Sequence, residues 1–238
     1  VNYRGKVACM TVRDGQPFER GREWFSITSH EDGQRTLRMQ CELDDRHLVR
    51  DVTYTLDPEL RPLDCFVRLH KRGKFLGSGW CRFTPEEAEC EVYNVQLGRV
   101  SQRVRLPGPV RAFGTHPVNV DALLVTAFDH SKPDRIQPAR DVYISSLEHD
   151  GSSGPMVHPV PFAIEYLGRE EVATRAGVFD ADHYRFLLEG SFPTDHPTEE
   201  ISVVPETYFF VKAHVGGYIN TTFELVEFAR ELDQLERR

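Results

Sequence analysis

Alternation between apolar and polar residues dominates this chain. Short alternating runs occupy residues 22–29, 35–43, 47–56, 63–70, 75–83, 88–97 and 99–106. A further strand is expected within 6–12. Turn chemistry separates the runs, as at Asp14-Gly15, Glu31-Asp32-Gly33, Asp57-Pro58, Arg72-Gly73 and Thr84-Pro85. Strands at this spacing predict an antiparallel meander that curls into a barrel or sandwich. The pattern changes at Pro107. Val118, Ala122 and Val125 recur at helical spacing, which predicts a helix over 118–128 that caps the barrel. Strands then resume over 140–148, 157–167, 169–176, 183–189, 200–204, 208–215 and 219–228, with a tight reversal at Leu167-Gly168-Arg169. The charged residues 229–238 read as a short helix or frayed end. The fold class is therefore all-β: one antiparallel curved sheet closing into a single barrel-like domain over 1–238, with one capping helix.

Side chains on a strand alternate between its two faces. One parity collects rings and guanidiniums: Arg50 and Tyr54, then Phe66 and Arg68, then Trp80 and Arg82, then Tyr93. The other parity is small and apolar, with Cys65, Val67, Gly77, Gly79, Cys81, Cys90 and Val92. Two readings fit. In one, the ring-rich face lines a cavity where Tyr54, Phe66, Trp80 and Tyr93 stack on a flat ligand. Arg50, Arg68 and Arg82 would then bind its phenolate, carboxylate or carbonyl oxygens. In the other, the same face is solvated, and Arg stacks on rings across neighbouring strands.

Composition narrows the classes. The chain has 238 residues, 39% of them hydrophobic, enough for a substantial core. Its net charge of −8 argues against nucleic-acid binding through bulk electrostatics. Arg outnumbers Lys by 24 to 5. Codon bias explains that ratio, and so does a need for planar, bidentate partners for oxygen-bearing ligands. The five Cys form no CxxC pair and mostly sit in strand-like runs, where they read as buried, reduced thiols. Neither a signal-peptide apolar stretch nor a long apolar span is present, so the expectation is a cytoplasmic protein without a membrane partner. A homo-oligomer is compatible with the sequence.

The second half resembles a family of bacterial β-barrel-like proteins of poorly defined function. The residues that carry the resemblance are Ile164-Glu165-Tyr166-Leu167-Gly168-Arg169-Glu170, Ala176-Gly177-Val178-Phe179 and Thr222-Phe223-Glu224-Leu225-Val226. It implies a curved antiparallel sheet, in a family with many exported members. A looser similarity rests on Gly77-Ser78-Gly79-Trp80 and Phe113-Gly114-Thr115-His116-Pro117. These look like proteins of bacteria that degrade lignin-derived aromatics, among them a cofactor-independent lyase that releases formaldehyde.

Known motifs are missing. The ten His include no HExxH and no zinc-spaced Cys/His pair, so no metal site is expected. No P-loop or dinucleotide fingerprint occurs, and no cofactor is expected. Ser78 is not in a nucleophile elbow. The functional expectation is a cofactor-independent lyase or isomerase acting on a small aromatic or amphipathic molecule inside the barrel. The alternative is a non-catalytic carrier of the same fold. His116, His214 and Lys212 are the candidate bases. Arg68 and Arg82 are the candidate stabilising cations, and Arg50, Tyr54, Phe66, Trp80 and Tyr93 the candidate binding residues.

Overall fold

The computed structural model describes residues 2–193 and 196–231. The meander forms as the alternation requires: β1 (Asn2–Arg13), β2 (Gln16–Ser29), β3 (Arg35–Leu43), β4 (Leu48–Leu56), β5 (Pro62–Lys71), β6 (Lys74–Phe83), β7 (Glu87–Asn94) and β8 (Gly98–Arg105). Next come β9 (Ala112–Gly114), the helical turn α1 (Val118–Asp121), β10 (Ile136–Pro138), β11 (Val142–Ile144) and β12 (His158–Pro159). The chain then returns to long strands: β13 (Ala163–Thr174), β14 (Gly177–Leu187), β15 (Glu199–Val204), β16 (Phe209–Val215) and β17 (Thr221–Glu231).

Fourteen strands make one antiparallel sheet, in the order β10-β13-β14-β15-β16-β17-β1-β2-β3-β4-β5-β6-β7-β8. First and last strands are neighbours, since β1 pairs with β17. The sheet is barrel-like; residues 110–128 and 142–162 pack against its concave side, while the mostly exposed 129–141 supply β10 to the sheet. Within this filling β9, β11 and β12 make a small second sheet. Edge strand β8 is tied to this filling by Gln102, whose amide donates to Val157 O at 2.9 Å and accepts from Val157 N at 2.8 Å. Its outward Arg99, Arg103 and Arg105 discourage edge-to-edge pairing. No helix among the described residues is long and apolar enough to cross a membrane.

The helical segment expected over 118–128 is present as α1, continued by a 3-10 stretch, Ala122–Ala127. Val118, Val120, Leu123, Leu124 and Val125 are all buried. A segment apolar on every side belongs in an interior, so it plugs the concave side of the sheet.

Three expectations change. The strand anticipated over 140–148 shortens to β11, because the chain there lies in the filling. Residues 167–169 do not reverse the chain: β13 runs straight through them, and Gly168 sits at a register shift with φ of 131°. The reversal comes instead between Thr174 and Gly177. Strand β17 continues to Glu231, and residues 232–238 lie outside the described residues.

Candidate functional site

Cross-strand register decides which face each residue joins. Tyr54 lies opposite Cys65, and Arg50 opposite Leu69. The even positions of β4 therefore share a face with the odd positions of β5, after a register shift at Thr55/Leu56. Phe66 in turn pairs with Trp80, and Ser78 with Tyr93. Arg50 and Tyr54 thus point inward with the small apolar parity. Phe66, Arg68, Trp80, Arg82 and Tyr93 lie on the outer face, where Arg68 sits 5.5 Å from the Phe66 ring centroid. The single concavity expected for all seven does not form.

The other candidates divide the same way. Lys212 pairs with Glu224 and Ser202, and His214 with Thr222 and Glu200, all on the outer side of the sheet. His214 is exposed, and its Nδ1 is 3.2 Å from Thr222 Oγ1. Tyr54 is fully buried but occupied, donating to Phe113 O at 3.1 Å within the core. Burial pushes its phenol well up. Only Arg50 and His116 reach an internal cavity.

That cavity has a volume of about 110 Å³. Arg50, His116, Asp121, His149, His196 and Glu199 give it polar walls, while Val118, Val215 and Phe223 give it apolar ones. Beside it lies a smaller, mostly apolar cavity of about 50 Å³, walled by Leu124, Ile144, Phe162, Phe186 and Phe192. His116, Asp121, His196 and Glu199 line both spaces. Acid–base groups thus stand where a polar chamber meets an apolar one.

Each group is placed by local structure. His116 links β9 to α1 with a φ of 71°, an uncommon conformation for a non-glycine residue and more so before proline. Its backbone N–H donates to Asp121 Oδ1 at 3.3 Å, and its Nε2 is 3.2 Å from Ser146 O. A carbonyl only accepts, so Nε2 carries the hydrogen and Nδ1 keeps its lone pair. Burial, helped by Arg50, holds the imidazole down at about 3.

Asp121 ends α1. Burial raises its carboxyl to about 7; Arg50 pulls it down and Glu23 pushes it up. Glu199 opens β15 on the inner face, opposite Phe186 and Val215. Burial, then the nearby Asp121, raises it to about 8. Beneath them Glu23 anchors α1. Its two carboxyl oxygens accept from the backbone N–H groups of Val118 (2.9 Å) and Asn119 (3.4 Å), from Asn119 Nδ2 (2.8 Å) and from Cys41 Sγ (3.2 Å).

Arg50 is 3% exposed and, among the described residues, has no carboxylate within 4.0 Å. Its guanidinium donates to Asp150 O at 2.5 Å. Residues 149–155 fold over it. A Cβ at Gly151 would meet Arg50 Nη2 at 2.1 Å and His116 Cδ2 at 2.7 Å, and φ there is +64°. Only glycine fits so close a backbone approach. Toward the rim, by contrast, Arg20 is paired with Asp45, and Arg22 with Glu19, Glu42 and Asp44.

No group of three or more His, Cys, Asp or Glu among the described residues is arranged to hold a metal ion. Asp121, Glu199, His149 and His196 escaped the sequence reading. The first lies inside the predicted helix and the second beside a predicted strand start, and neither carries a motif. Their one sequence signal is position: Asp121 follows His116-Pro117 by four residues, so a single turn gathers both.

The raised carboxyls make stability depend on pH. A folded carboxyl titrating near 8 binds a proton that the unfolded chain, titrating near 4.5, has lost. Stability therefore falls as pH rises through that window. The depressed His116 acts in the opposite sense, with stability lost as pH falls below 6.5. Between pH 6.5 and 8 only the carboxyls act. The thermal midpoint should drop by a few degrees across that interval, and Glu199→Gln should flatten much of the drop. An equally steep profile in the variant would show that Glu199 does not hold the extra proton.

Comparison with known proteins bears on the fold. No protein-family model matches the chain, and no curated protein sequence matches it. Among solved structures, it is similar to a beta-barrel-like protein of domain of unknown function DUF1849 from Brucella abortus. The identity is 8%, the coverage 98% of both chains and the TM-score 0.57. It also aligns with a putative lipoprotein from Parabacteroides distasonis, at 9% identity over 94% of this chain and 95% of that one, with a TM-score of 0.32. A DUF1329 family protein from Desulfovibrio piger aligns at 7% identity over 98% of this chain and 86% of that one, with a TM-score of 0.27. The first likeness shows a beta-barrel-like fold; the other two are too distant to support an argument.

Proposed function

We propose that this protein is a cofactor-independent lyase or isomerase that moves a proton on a small amphipathic acid held inside the barrel, aromatic acids being the favoured class. The observation that carries this reading is the shared wall of the two cavities. An anionic group on Arg50 would leave the apolar part of the molecule toward Phe162, Phe186 and Phe192. The bonds between would lie beside His116, Asp121 and Glu199.

Environments that push pKa values apart assign roles. At pH 7 His116 is unprotonated and Glu199 is protonated, so a base and an acid coexist in one site. In a lyase, His116 Nδ1 or the Asp121 carboxylate takes the proton of a substrate hydroxyl. The adjacent carbon–carbon bond breaks, the hydroxyl-bearing carbon leaves as a carbonyl compound, and Glu199 protonates the remaining carbanion. Arg50 stabilises the negative charge as it develops. An isomerase breaks no carbon–carbon bond: the base takes a proton from carbon instead, and Glu199 returns one at another position of the resulting anion.

The test is a panel of small aromatic and hydroxy acids incubated with the protein in D2O and followed by proton NMR. Deuterium incorporation or carbonyl release is expected for at least one member. Glu199→Gln and His116→Phe should each slow it by about 10²–10⁴-fold. The rate should also fall above pH 8 as Glu199 loses its proton. Binding without exchange or turnover would favour a carrier, and no binding of any member would remove the reading.

A further inference from the structure

Three cysteines lie side by side on neighbouring inner-face positions. Cys65 of β5 is directly opposite Cys81 of β6, and Cys81 is directly opposite Cys90 of β7. All three are fully buried. Directly opposed residues of antiparallel strands have Cβ atoms about 4.5–5.5 Å apart, at the edge of disulfide reach. Cys81 could therefore pair with either neighbour, and the sulfur positions choose between them. Cys81 Sγ and Cys90 Sγ approach to 2.7 Å, closer than unbonded sulfurs ordinarily sit. A covalent bond would bring them to about 2.05 Å.

We propose that Cys81 and Cys90 are a disulfide-forming pair, joined across the β6–β7 hairpin when the protein meets a disulfide oxidant, while Cys9, Cys41 and Cys65 remain thiols. The step balances with oxidised glutathione. Two S–H bonds break, one S–S bond forms, and the two electrons and two protons convert the oxidant to two thiols. Because both sulfurs are buried, exchange takes place while the chain folds or when the hairpin opens. The bond would also stiffen the support of residues 149–155, since a Cβ at Gly79, beside this pair on β6, would meet Pro155 Cγ at 2.8 Å.

The sequence makes the test unambiguous. Trypsin cuts after Arg68, Lys74, Arg82 and Arg99, which separates Cys65, Cys81 and Cys90 onto three peptides. The full chain is refolded in a mixture of reduced and oxidised glutathione, denatured, alkylated and digested. The expected result is three alkylated cysteines and peptide 75–82 linked to peptide 83–99. Cys65→Ser should retain that link. The oxidised protein should also melt about 5 °C or more above the reduced one, because the bond restricts the unfolded chain. Five alkylated cysteines in the wild type, or a link from Cys81 to the Cys65 peptide, would overturn the assignment. The wild-type map decides the matter even if a variant fails to fold.

Discussion

Replacing Arg50 with methionine should leave the empty protein at least as stable as the wild type while removing most of its affinity for small acids. A guanidinium that is 3% exposed and, among the described residues, has no carboxylate partner has lost its hydration without an ion pair in return. Its hydrogen bond to Asp150 O offsets only part of that cost. Unpaired buried charges are costly by several kcal/mol, and a flexible apolar side chain of similar length can fill the space. The bound state reverses the balance. Removing one partner of a buried, hydrogen-bonded charge pair costs about 2–5 kcal/mol, or about 30-fold to several thousand-fold in affinity. Thermal unfolding and isothermal calorimetry on the same variant check both halves. Arg68→Met and Arg82→Met serve as controls. Both side chains stand on the outer face, so neither change should alter affinity. An Arg50→Met protein that loses stability but keeps its affinity would show that the guanidinium is structural.

The largest loss of stability should come from Glu23→Ala. Glu23 is 3% exposed, and its carboxyl accepts from four donors on three residues. Alanine leaves the N–H groups of Val118 and Asn119 and the Asn119 amide buried without an acceptor. Each orphaned group costs about 1–3 kcal/mol, and with partial relaxation the three together cost about 3–5 kcal/mol. For a chain of this size that lowers the thermal midpoint by about 6–20 °C. Glu23→Gln keeps one acceptor oxygen and should lie in between. Because Glu23 fixes α1, and α1 carries Asp121, the site should loosen with the fold. A midpoint unchanged in Glu23→Ala would mean that the plug is held by apolar packing alone.

Strand content was legible because alternation is local. The runs over 35–43 and 75–83 coincide with β3 and, to within a residue, with β6. Faces were less legible, because parity must be carried across each hairpin. The link fails at one place: residues 57–61 and the register shift at Thr55/Leu56 invert the match between β4 and β5. One inversion put Arg50 and Tyr54 with Phe66 and Arg68, although β5, β6 and β7 were grouped correctly among themselves. The carboxylates of the site were hidden for a different reason. Asp121 and Glu199 come from elements 78 positions apart in the chain, and nothing in the sequence near either records that burial gives them their chemistry. His116 was visible because it precedes the plug. Its neutrality comes from burial and from the nearby Arg50, which only folding supplies.

The most direct measurement is a crystal structure of the wild-type protein with the tightest-binding acid of the panel. The anionic group should lie within hydrogen-bond distance of the Arg50 guanidinium, with the apolar part toward Phe186 and the reacting bonds beside His116 and Glu199. An acid seated against Trp80 and Tyr93 on the outer face, with the cavity around Arg50 unoccupied, would contradict the account.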